Sequence, residues 1–154
     1  DFRAGERAFA QLWAAAERVR PDGAVVVQSQ NPEHYAIAAL AAQDLGIFYK
    51  EELKFRAELG YPPFRRLAIV TLSGKSAGEI DPMLETVGRA LRDAPRLTVY
   101  PPATDRRGRA RRIVVKGGDD LPELLEAALG EFRRPRPRSR GIMDVEVDPV
   151  EWPF

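Results

Sequence analysis

The chain has 154 residues, with 24 lysines and arginines against 23 aspartates and glutamates, one histidine and no cysteine. That excludes disulfides and thiolate metal sites, and the lone His34 leaves no basis for a histidine-built zinc or catalytic cluster. No apolar run approaches the length of a membrane-crossing helix, so a soluble, cytoplasmic, metal-free protein is expected. The chain opens on Asp1, within a helical pattern, as expected of a piece of a longer protein.

In chain order, Phe9, Leu12, Trp13 and Ala16 recur at the spacing of a buried helical stripe, which puts Trp13 in a core. Pro21-Asp22-Gly23 breaks the pattern, and Ala24 to Gln28 reads as a strand covered on both faces, as in a parallel α/β sheet. Asn31-Pro32 predicts a helix N-cap and first turn, Ile37, Leu40, Ala41 and Leu45 its stripe, and Gly46 its end. His34, with no catalytic partner, reads as structural. Phe48 to Leu59 predicts the next helix. Three helices and one strand make a poor independent core, so residues 1–60 read as the tail of a larger α/β domain. Tyr61-Pro62-Pro63-Phe64 follows as a stiff extended strap, with Tyr61 and Phe64 pinning it.

Residues 65–154 read as a self-contained unit. Leu67 to Leu72 predicts a strand, and Asp81-Pro82 caps a helix with Leu84, Val87 and Leu91 as its stripe. Leu97 to Tyr100 and Arg111 to Lys116 predict two further strands, the second with Ile113 and Val115 on one face. Leu121, Leu124, Leu125, Ala128, Leu129 and Phe132 carry the clearest helical period in the chain. Met143, Val145 and Val147 alternate with Asp144, Glu146 and Asp148 in a last strand. The carboxylates are explained as its solvent-facing side, more simply than as a metal site. The order βαββαβ is that of a ferredoxin-like domain. Trp152 and Phe154 read as a hydrophobic seal or a loose tip.

Charge is unevenly placed. Arg106, Arg107, Arg109, Arg111 and Arg112 form a basic turn with Lys116 nearby, and Arg133, Arg134, Arg136, Arg138 and Arg140 form a second basic stretch interleaved with prolines. On a nearly neutral chain such clustering predicts an anionic partner for one face.

Five segments, in order, resemble the PriA family of replication-restart proteins (primosomal protein N′). They are Asp1 to Phe9, Gln28 to His34, Glu51-Glu52-Leu53 through Tyr61-Pro62-Pro63-Phe64, Tyr100-Pro101-Pro102-Ala103 with the basic turn, and Val145 to Pro149. The resemblance implies the end of a helicase lobe in residues 1–60, a linking strap in 61–64 and a C-terminal DNA-binding domain in 65–154. It also implies partners: forked or single-stranded DNA, single-stranded DNA-binding protein and other primosome proteins. The reading is of a monomer, with no cofactor in this stretch.

One departure stands out. The family's helicase motif VI reads roughly Gln-Val-Ala-Gly-Arg-Ala-Gly-Arg, where this chain has Ala14-Ala15-Ala16-Glu17-Arg18-Val19-Arg20 and then Pro21. The glutamine and both glycines are missing, and only Arg18 and Arg20 remain to face a nucleotide phosphate. The resemblance therefore implies a parent without efficient ATP hydrolysis, working as a fork-binding scaffold. The alternatives are an active 3′-5′ ATP-dependent DNA helicase compensated elsewhere, a ribosome-type RNA-binding or protein-interaction module, and a small-molecule sensor. This stretch lacks a phosphate-binding Gly-x-x-x-x-Gly-Lys loop, so it is not an ATPase by itself.

The basic turn then reads either as a phosphate grip on DNA, with Gly108 allowing close approach, or as a solvated charge run. Nothing resembles a base-reading element, so affinity for phosphate and branch shape is expected. Residues 133–140 read as a DNA arm, a dock for the acidic tail of single-stranded DNA-binding protein, or a linker. Tyr100 is the residue best suited to stack on an exposed base.

Overall fold

The computed structural model describes residues 2–133 and 141–150, with only the backbone at 133. The expectations for Arg134, Arg136, Arg138 and Arg140, for the Arg133 side chain, and for Trp152 and Phe154 lie outside the described residues. The chain divides into two compact units, Asp1–Leu59 and Gly60–Phe154.

The first unit is built from α1 (Ala4–Ala16), α2 (Tyr35–Ala42) and α3 (Leu45–Leu59). Its core is small: Phe9, Ala36, Ala39, Leu40 and Phe48, with Leu12, Trp13, Ala16, Val27 and Tyr35 packed around them. Phe9 and Phe48 stack at 4.0 Å between centroids. Below this core lies a polar chain. Tyr35 donates its hydroxyl to Glu52 Oε2 at 2.6 Å, and Arg56 bridges Glu52 Oε1 and Glu6 Oε2, each at 2.8 Å.

Several expectations for this unit are corrected. Ala24 to Gln28 is not a strand, and Val26 is 91% exposed. A strand exists only against a neighbour, and no described segment lies beside this one to complete a ladder. The helix expected from Asn31 begins at Tyr35, capped by His34, whose Nδ1 accepts the Ala36 N–H at 3.2 Å. Asn31 instead opens a turn before α2, its carbonyl accepting from the His34 N–H. Gly46 does not end that helix. Gln43 does so in the left-handed region, φ 53°, and Asp44 accepts the Gly46 N–H to open α3 at Leu45, before the expected Phe48.

The second unit has a mixed α/β architecture. Its strands are β1 (Arg66–Ser73), β2 (Thr98–Val99), β3 (Ala103–Thr104), β4 (Ala110–Gly117) and β5 (Ile142–Val147), and its helices α4 (Ala77–Asp93) and α5 (Leu121–Arg133). The sheet order is β2-β4-β1-β5, with β3 also on β4, and every described pairing is antiparallel. Ala68, Val70, Leu72, Ile113 and Val115 meet Ile80, Val87, Leu91, Leu121, Leu125 and Leu129 in one core. Burying a large aliphatic side chain contributes about 1.5–3 kcal/mol, so this layer dominates the unit's stability.

Here too the sequence reading is adjusted. Tyr61 to Phe64 is a turn, not an extended strap: the Tyr61 carbonyl accepts the Phe64 N–H at 3.0 Å, and the Pro62–Pro63 peptide is cis. Helix α4 starts at Ala77, so Pro82 lies inside it and Asp81 is no cap. Strand β3 was not anticipated. Asp148 leaves the strand alternation at φ 51° and binds Arg66 Nε and Nη2 through Oδ2 at 2.8 and 2.7 Å. Among the described residues no helix is long and apolar enough to cross a membrane.

Candidate nucleic-acid interface

The antiparallel pairing of β3 with β4 puts the basic turn at the tip of a hairpin. One acid organises it. Asp105 Oδ1 accepts the backbone N–H groups of Arg109 and Ala110 at 2.7 and 2.8 Å, while its own carbonyl accepts the Gly108 N–H at 3.0 Å. These bonds hold the Asp105 carboxyl below its ordinary pKa, the Ala110 N–H first among the causes, Arg109 and Arg107 N–H groups and the Arg112 charge assisting. Gly108 sits at φ 67°, where a side chain is strained, and nothing would meet a Cβ there. The acid that would dilute the positive charge is thus tied to the backbone beneath it.

The arginines do not act alike. Arg106, Arg107 and Arg109 are exposed at the tip. Beyond the turn, strand alternation sends Arg111 and Arg112 to opposite faces of the sheet. Arg111 falls on the helix side, where its side chain, 15% exposed, binds Asp81 Oδ1 of α4 at 3.1 Å. Arg112 falls on the face away from α4 and α5, half-buried, opposite Thr71 and Ala103. Lys116 lies on that face too, but it is buried, 4% exposed, with Nζ 3.5 Å from the centroid of the Tyr61 ring and 5.1 Å from that of Tyr100. It is no part of the exposed turn. Tyr100 itself is 38% exposed.

The face away from α4 and α5 buries Leu67 and Ile69 along with Lys116, and its charges are polarised. Strand β5 shows exposed Asp144 and Glu146 at its edge, and β4 shows Arg112 toward the turn. Asp81, Asp105 and Tyr61 were not singled out by sequence reasoning for these roles. The signal for Asp105 was present: an Asp followed three residues on by Gly in a polar run is a turn signature. Asp81 and Tyr61 act across long sequence separations that no local pattern reveals.

Away from the turn, Arg18 and Arg20 are exposed in the bend after α1, and Glu17 accepts the Trp13 indole N–H at 3.0 Å. Among the described residues no cluster of His, Asp or Glu is placed to hold a metal ion.

Comparison with known proteins bears on residues 57–150, which match the family described as "Primosomal protein N C-terminal domain". The chain is similar to the replication restart protein PriA of Bacillus subtilis, 27% identical over 161 aligned positions covering 97% of this chain and 20% of that protein. It is likewise similar to the replication restart proteins PriA of Borreliella burgdorferi, 37% identical over 49% of this chain and 12% of that protein, and Treponema pallidum, 43% identical over 44% and 11%. The chain thus spans a fifth or less of the length of these relatives. With more than half of its residues inside the family's C-terminal domain, the chain belongs to the PriA family of replication restart proteins.

Proposed function

We propose that residues 65–154 are a DNA-binding domain that helps a PriA-like protein recognise abandoned replication forks, gripping phosphates near the branch through Arg106, Arg107 and Arg109. The observation that carries this reading is the hairpin tip itself, with three exposed guanidiniums over a backbone fixed by Asp105. Guanidinium forks suit phosphate oxygens, and a preordered turn loses little entropy on binding. The sheet order β2-β4-β1-β5, with β2 and β3 taken as one broken strand, supports a ferredoxin-like domain. Residues 1–60 are proposed as the end of a helicase lobe and 61–64 as the link between the two. Single-stranded DNA-binding protein and other primosome proteins are the proposed partners of a monomeric, cytoplasmic parent, with no cofactor in this stretch.

The experiment is binding of the chain to labelled forked DNA across a salt series, beside the triple variant Arg106→Ala/Arg107→Ala/Arg109→Ala. The expected outcome is a log–log slope shallower by about 2–3 in the variant, since each duplex phosphate contact contributes roughly 0.9. Equal slopes would reduce the turn to a solvated loop. Competition with a matched RNA separates fork recognition from a ribosome-type RNA-binding role.

The replaced motif VI supports a parent with little ATP turnover. On the proposed alignment the glutamine and both glycines of the motif are absent and Glu17 adds a negative charge where a nucleotide is anionic; Glu17 accepts the Trp13 indole N–H. Fork-stimulated hydrolysis by the full-length protein at an ordinary helicase rate would overturn that part and favour the motor reading.

A further inference from the structure

On the sheet face turned away from α4 and α5, a buried cation stands against two rings. Alternation along β4 places Arg112, Val114 and Lys116 there, and the register Thr98↔Lys116 brings the end of β2 alongside. An ammonium removed from water is costly unless its charge is met. Tyr61 and Tyr100 meet it with their ring faces, at 3.5 and 5.1 Å from Nζ.

The same contacts order Tyr100. Its N–H donates to the Val114 carbonyl at 2.9 Å, and Pro101-Pro102 stiffen the backbone that follows. The ring is nonetheless accessible, with the residue 38% exposed. An aromatic side chain fixed at its backbone, backed by a cation and open to solvent is preorganised to receive a flat apolar partner. Arg112 follows two strand positions beyond Val114, about 7 Å along β4, and the exposed turn arginines lie further in the same direction. Exposed Asp144 and Glu146 on β5 repel a polyanion from the far side of the face, steering it to the β2–β4 side.

We infer that Tyr100, held by Lys116 and Tyr61, is a stacking platform for an unpaired DNA base adjoining the phosphates at the basic turn. The inference rests on the DNA-binding reading above and narrows it. Within a duplex each base face is covered by its neighbours, so the platform takes only a base freed from the stack, as in the single-stranded arm of a fork. Lys116 is a positioning residue that acts through the two rings and touches no phosphate.

The test uses this chain with forked DNA carrying 2-aminopurine at the first unpaired position of one arm, and a fully paired duplex as control. Wild type is expected to quench the probe. Tyr100→Leu is expected to abolish the quench and weaken fork binding about 5- to 160-fold, the range for losing one stacked base. Duplex affinity and salt slope should not change. Tyr100→Phe and Tyr100→Trp should retain the quench. Lys116→Met should diminish it at unchanged slope, and Lys116→Arg should restore it.

A Tyr100→Leu variant that still quenches overturns the proposal. So does a Lys116→Met slope shallower by about 0.7, the mark of a lost single-strand phosphate contact. In both cases the phosphate grip survives if the triple arginine variant flattens the slope. Binding to neither probe by wild type removes both readings together. If Lys116→Met fails to fold, seen by circular dichroism, the Tyr100 series decides alone.

Discussion

Glu52 is 5% exposed, yet it carries a carboxylate that serves Tyr35 and Arg56 together, while Arg56 also reaches Glu6. The three helices of the first unit are therefore joined by one polar chain as well as by the Phe9–Phe48 stack. Arg56→Met should destabilise this unit by about 3–5 kcal/mol, because it strands a buried carboxylate; urea unfolding checks it. Burial, and next the hydrogen bond to Glu52, push the Tyr35 phenol well above its ordinary pKa. A raised folded pKa contributes stability that is complete below the unfolded value, about 10, and lost as pH rises past it. Urea midpoints should thus fall above pH 10, and Tyr35→Phe should flatten that fall. At the basic turn the sign is opposite: the lowered Asp105 pKa contributes stability above the usual carboxylate range and loses it as acid protonates the group. Asp105→Ala should speed hydrogen exchange at the Arg109 and Ala110 amides, which it no longer holds.

Elements whose pattern is self-sufficient were legible in the sequence. Strands β1, β4 and β5 and helix α5 follow their periods, and their partners lie in the same unit. Ala24 to Gln28 has the composition of a strand but needs neighbours, and without them it lies open along a groove of about 760 Å³ lined by Trp13, Val19, Val25, Val27 and Ile37. Val26→Thr should accordingly change the stability of this chain by less than about 0.5 kcal/mol. Asp81-Pro82 misled because a cap signature is local, whereas Asp81 is committed to Arg111 thirty residues on. The basic turn was legible as charge. Its division among an exposed tip, an ion pair to a helix and a buried lysine was not, because those fates follow from strand alternation and from Tyr61 and Tyr100 folding over Lys116.

The two units differ in how much core they own. Among the described residues the first unit's cluster buries five apolar residues and the second's eleven. Since apolar burial is the main favourable term, α2 should open at lower free energy than β1 and β4. Native-state hydrogen exchange across a denaturant series should show the α2 amides joining bulk exchange first; a single shared isotherm would refute this ordering.

The bond between Arg66 and Asp148 has a mechanical meaning. Strand β5 runs back along β1, so Arg66 at the start of β1 and Asp148 just past the end of β5 lie side by side, with the Asp148 N–H also bonded to the Leu67 carbonyl at 2.7 Å. Tension between these two points meets the β1–β5 ladder end-on and loads its rungs in succession, not all at once. The ion pair is the first rung. Once it parts, the sheet should peel like a zipper from that corner, so a pull applied there need not break the buried core at once.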